Sequence, residues 1–241
     1  MSVPDDTLPE YDDYDELYDE EIVEEPDKDD FTDSTGPLGY RAAGSDPTFG
    51  YLIALALAVG LTALPPEQRD LRYTILWMIP AGFGVMAWLL GSQIRIQAET
   101  PENLAWGIAF ALIVATPLLA VGGSTLTATV NLLFRGMTWG TLLAYMVFVM
   151  PLAETLFFRG LLQLERPFWI VGLMSSLWSA LLFFPLLNIG SYPAIAAVIT
   201  VALLMMNLTY SYVRQRNGLA AAWVCQIVVN LVLIFFPYVS S

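Results

Sequence analysis

The sequence predicts an all-α protein, a polytopic transmembrane helical bundle of about seven spans with a disordered acidic N-terminal tail. Three observations carry that prediction. The chain is 56% hydrophobic and only 14% charged, where an ordinary soluble domain carries about 25% charged residues, and its mean hydropathy is +0.60. From Thr48 onward, apolar stretches recur at roughly 20 residues, the length a helix needs to cross a bilayer. The acids are also segregated, with sixteen of the 23 lying between Asp5 and Asp33. Beyond Thr48 only Glu67, Asp70, Glu99, Glu102, Glu154 and Glu165 remain, against eight arginines, so the net charge of −13 describes the tail and not the body.

Residues 1–47 form the tail, expected to be disordered and cytoplasmic. Its Asp, Glu and Tyr run repels itself and offers little apolar surface to offset ordering entropy. A calcium loop does not fit. Starting from Asp29, position 3 is Phe31, position 6 is Ser34 where glycine is required, and position 12 is Tyr40 in place of Glu. No secretory signal is expected, because the start Met-Ser-Val-Pro-Asp-Asp is acidic and no apolar run precedes Phe49. The final Phe-Pro-Tyr-Val-Ser-Ser offers no lipidation cysteine.

The transmembrane domain, residues 48–241, divides into spans at about 48–64, 73–91, 103–121, 139–162, 168–187, 193–213 and 218–237. Pro65-Pro66 ends the first, which is short. Thr100-Pro101 reads as an N-cap followed by Pro at the first helical position. Pro167 opens the fifth span, and Asn217-Gly218 precedes the seventh. Within 124–137, Leu126, Val130, Leu133, Phe134 and Met137 recur at helical spacing among Thr125, Thr127, Asn131 and Arg135. That pattern predicts a helix in the interface plane, or else an N-terminal extension of the fourth span. Short-loop arginines set the orientation. Arg41, Arg95, Arg159, Arg166, Arg214 and Arg216 fall on the N-terminal side, and Arg69, Arg72 and Arg135 on the other. The N-terminus is therefore expected in the cytoplasm.

Polar groups inside hydrocarbon are the candidate site. Glu154 is the only acid within a span, and burying such a group costs about 2.5–3.5 kcal/mol by insertion scales. Gln226 and Asn230 share a face one turn apart in the seventh span, Asn207 lies in the sixth, and Pro151 should free a carbonyl near Val147. Counted from Leu162 and from Gly218, Glu154 and Gln226 both lie about 12 Å deep, so one cytoplasm-facing cavity could hold both. Helix–helix hydrogen bonding is the plainer role for Gln226 and Asn230. Arg159 lies about 140° round the helix from Glu154 and is expected to snorkel toward the headgroups. No histidine exists in the chain and Cys225 is the single cysteine. Imidazole catalysis, an internal disulfide and a cysteine metal cluster are therefore excluded.

Pro151-Leu-Ala-Glu-Thr-Leu-Phe-Phe-Arg-Gly-Leu-Leu162 resembles the first motif, Glu-Glu-x-x-x-Arg, of the CPBP family, the CAAX prenyl proteases and bacteriocin-processing (Abi) intramembrane proteases. Glu154 and Arg159 match, and Thr155 replaces the second Glu. The segment 180–187 resembles the second motif, Phe-x-x-x-His, with Phe183 in place and Leu187 where His belongs. Arg214 to Asn230 resembles the third, with Asn230 in place and Gln226 standing for His. The likeness covers about 139–237. It implies a glutamate that activates water, histidines that support it and stabilise the oxyanion, and a metal proposed for that site. One lost oxyanion donor costs roughly 10²–10³ in rate. A single carboxylate without nitrogen ligands is a poor metal site, so no cofactor is expected.

These readings lead to an integral membrane protein of that family, a catalytically impaired pseudoprotease in the bilayer, with a membrane-protein or prenylated-peptide partner and no nucleic acid. Two rivals stand beside it. One is an active glutamate-type endopeptidase using Glu154. The other is a small transporter or channel component, disfavoured by a single buried acid and no inverted repeat.

Overall fold

The computed structural model describes residues 47–89, 100–187 and 193–241. The acidic tail up to Asp46, with Arg41, and the loop bearing Arg95 lie outside the described residues. Among the described residues the chain is helical, with a helix at each of the seven expected positions. They are α1 (Pro47–Gly60), α2 (Arg69–Leu89), α3 (Pro101–Leu133), α4 (Trp139–Glu165), α5 (Phe168–Leu186), α6 (Pro193–Asn217) and α7 (Leu219–Val239). Five of them, α3 to α7, are long and apolar enough to cross a membrane. α1 is short even with the tight turn that extends it to Ala63. α2 has the length but opens on Arg69, Asp70 and Arg72.

Helix starts follow local chemistry. Thr138 caps α4 by accepting from the Thr141 amide at 3.2 Å. Thr100 sits at the N-cap of α3 with Pro101 behind it, but its hydroxyl makes no cap bond. Its carbonyl serves instead, accepting from the Asn103 amide at 3.0 Å.

The segment 124–137 is not an N-terminal extension of the fourth span. Its helix continues α3 without a loop, broken only at Gly123, whose φ of 24° and ψ of −109° are non-helical. Glycine admits that backbone where a side chain would strain it. A turn over 134–137 then leads into α4, held by three side chains from two helices, α2 and α7. Arg69 donates to the Leu132 carbonyl, the Tyr73 hydroxyl donates to the Leu133 carbonyl at 3.2 Å, and the Tyr238 hydroxyl donates to the Met137 carbonyl at 2.5 Å.

Prolines shape the helices around the site. Pro151 removes the donor that Val147 would accept, and the backbone widens to a π-turn over Tyr145–Val149. Pro237 has the same relation to Leu233, inside a π-turn over Leu231–Phe235. A third π-turn, Thr155–Leu162, follows Glu154 with no proline to cause it. Small residues let the helices close up, as membrane packing favours. A Cβ on Gly107 would come 2.4 Å from the Ala221 carbonyl oxygen, so α3 and α7 touch backbone to backbone there.

Candidate functional site

Glu154 sits where α2, α4 and α7 meet, buried at 1% exposure. The Trp77 indole N–H donates to its Oε1 at 3.2 Å. The Gln226 amide Nε2 donates to its Oε2 at 2.7 Å. The orientation of that amide follows from its other end. The Thr155 hydroxyl donates to Gln226 Oε1 at 3.2 Å, which leaves the NH₂ to face the carboxyl group. Thr155, at the position of the motif's second Glu, thus aims Gln226 at Glu154. A second indole, Trp178, lies close to the same carboxyl group with its N–H short of hydrogen-bond geometry.

Asn230 lies a turn further along α7 and does not reach Glu154. Its amide donates to the Met146 carbonyl at 3.2 Å and contacts Met150 Sδ at 3.7 Å. That carbonyl lies in the π-turn before Pro151, so Asn230 satisfies backbone in the stretch the proline disturbs.

Arg159 corrects an expectation. It does not snorkel, and its side chain is fully buried. The π-turn over Thr155–Leu162 widens the helix, and the guanidinium turns inward. Nη2 donates to Asn207 Oδ1 at 2.7 Å and to Ser175 Oγ at 3.4 Å. The Tyr210 ring lies 5.2 Å away and the Phe158 ring 5.6 Å, within cation–π range. Asn207 in turn donates to Ser179 Oγ at 3.2 Å. Arg159 touches Glu154 only through the backbone, with Nη1 donating to its carbonyl at a long 3.5 Å. The guanidinium thus joins α4, α5 and α6 in one polar network.

A cavity of about 430 Å³ adjoins the site. Glu154, Asn207 and Asn230 reach it with Thr125, Thr129, Ser179 and Tyr210, and Phe183 and Leu187 are among the apolar side chains that make up most of its lining. Gln226 is not on its wall and stands behind Glu154. Sequence reasoning placed this cavity toward the cytoplasm, at the Leu162 end. The structure places it at the other end, since its lining runs over Leu118–Phe134, Ile195–Tyr210 and Val229–Ile234. At the Leu162 end, side chains tie the helices together. Gln163 donates to the Ser211 carbonyl at 2.8 Å, Arg214 to the Arg159 carbonyl at 3.2 Å, and Asn217 to Asn103 at 3.3 Å. Counting depth from helix ends gave the level of the site but not the side from which it is reached.

Residues 132–232 match the family model described as type II CAAX prenyl endopeptidase, Rce1-like. The chain is a CAAX protease-like membrane protein. No curated protein and no solved structure matches it. The matched segment runs from the end of α3 through most of α7 and contains Glu154, Thr155, Arg159, Phe183, Leu187, Gln226 and Asn230.

The residues of this CAAX protease-like site do not suit a metal ion. Glu154 brings one carboxyl group, each of whose oxygens already accepts an N–H. No group of three or more His, Cys, Asp or Glu comes together among the described residues. Several site residues carry no signal in the sequence. Trp77, Ser175 and Tyr210 are ordinary in apolar helices, and only their convergence on Glu154 and Arg159 sets them apart.

Proposed function

We propose that this CAAX protease-like protein has lost endopeptidase activity and works as a binding protein, receiving a membrane-protein or prenylated-peptide partner in the apolar cavity beside Glu154. The observation that carries the reading is the Gln226–Glu154 contact of 2.7 Å. An amide holds the place where the family motif has histidine. An amide donates a hydrogen bond but cannot relay a proton near neutral pH, and general acid–base catalysis needs a group that does. At the second histidine position Leu187 presents only carbon to the cavity.

A specific observation favours the active-endopeptidase alternative. Glu154 remains on the cavity wall, where a water and a substrate carbonyl could reach it. One experiment separates the two. The parent and Glu154→Gln are purified and incubated with prenylated and unprenylated membrane peptides, with and without Zn²⁺, and products are read by mass spectrometry. Neither form is expected to cleave, while both crosslink the same prenylated peptide. Cleavage by the parent and not by Glu154→Gln overturns the binding-protein reading. In the paired variant Leu187→His with Gln226→His, new cleavage would tie the loss to those two positions.

A further inference from the structure

A second concavity, of about 350 Å³, lies away from Glu154 and is lined by Glu67, Arg69, Asp70, Arg135 and Gly136. The first turn of α2 and the tight turn before it supply one wall, and the turn after α3 supplies the other. Arg69 is anchored by its bond to the Leu132 carbonyl, and its buried Nε has no partner. No ion pair joins the four charged side chains to one another among the described residues. Two cations and two anions therefore face one opening without pairing directly with each other.

The depth of this opening is marked by its neighbours. Leu71 and Leu132 begin the exposed apolar surface directly beside it. Trp139, 66% exposed and four residues past Arg135, is the kind of side chain that settles at headgroup level. A group that satisfies this pocket must carry both signs and live at the membrane–water boundary. We propose that the pocket binds the phosphoethanolamine headgroup of a membrane phospholipid. The guanidinium of Arg135, with Arg69 beside it, takes the phosphate in the forked geometry arginine favours. The carboxylates of Glu67 and Asp70 accept from the primary ammonium. A choline headgroup has no N–H for those acids, and a glycerol headgroup has no cation to set against them. This site is independent of the cavity at Glu154 and of any partner held there.

The full chain is reconstituted in nanodiscs of equal phosphatidylethanolamine, phosphatidylcholine and phosphatidylglycerol, then stripped stepwise with detergent. The lipids that stay bound are counted by mass spectrometry. The parent should retain phosphatidylethanolamine about fivefold over phosphatidylcholine, the sum of two exposed charge pairs. Glu67→Gln with Asp70→Asn should bring that ratio near one, and Arg135→Gln should lower retention of all three lipids. Glu102→Gln with Glu165→Gln, exposed acids outside the pocket, should leave the ratio unchanged. Equal retention of the three lipids by the parent overturns the proposal, as does phosphatidylglycerol ahead of phosphatidylethanolamine, or a preference that survives loss of both acids. The parent's own ratio decides the matter if a variant fails to fold.

Discussion

Arg159 is the residue on which the polar interior depends most. Its charge is taken out of water entirely, and Asn207 supplies its shortest hydrogen bond. A hydrogen bond to a charged group contributes about 1.5–3 kcal/mol, and a stranded buried charge costs more than the bond itself. Asn207→Leu should therefore lower the melting temperature in detergent by an amount equivalent to at least ~2 kcal/mol. Adding Arg159→Met to Asn207→Leu should recover part of that loss, because it removes the stranded charge. A double variant as damaged as the single would show that the guanidinium is not the group left unsatisfied. Glu154, Arg159, Gln226 and Asn230 were legible in the sequence because each is expensive in an apolar helix. Where Arg159 points was not legible, since the turn angle assumed for an α-helix fails across the π-turn at Thr155–Leu162.

At the scale of elements, the sequence marked three helix starts through Thr100-Pro101, Pro167 and Gly218, and the structure begins helices beside each of them. The join between α3 and the segment after it was hidden, because the mixed polar and apolar pattern of 124–137 reads as a separate element, whereas the structure runs it on from α3 across a kink at Gly123. The backbone contact of α3 with α7 at Gly107 leaves no space for a side chain. Gly107→Leu should force the two helices apart at a cost of about 1–3 kcal/mol or more, seen as a lower melting temperature and faster exchange of the amides around Ala221. Leu219–Val239 carries Gln226, so the same variant should also disturb the contact with Glu154. A crosslink between cysteines placed at 154 and 226, in a Cys225→Ala background, should form in the Gly107 parent and weaken in Gly107→Leu. An unchanged crosslink and melting temperature would mean that the close approach contributes nothing to the site.

For the whole molecule, two sequence expectations pull against each other once the cavity is located. The arginine count puts the tail and the Leu162 end in the cytoplasm, and a partner arriving from the cytoplasm would need the cavity at that same end. The cavity is at the opposite end. Protease added to sealed inside-out vesicles should trim the acidic N-terminal segment if the arginine count sets the orientation. Protection there, with cleavage on intact cells, would turn the cavity toward the cytoplasm instead. Either outcome fixes the compartment toward which the cavity beside Glu154 faces. The bend in α3 has a consequence for the bilayer as well. A straight rod of 33 residues would be about 50 Å long, far more than the ~30 Å of hydrocarbon. Breaking at Gly123 leaves a rod from Pro101 of about 33 Å, and sets Thr125, Thr127 and Asn131 on a separate arm. Hydrophobic mismatch in a thinner membrane is then relieved by tilting the long arm about one glycine, without drawing the polar arm into the acyl chains.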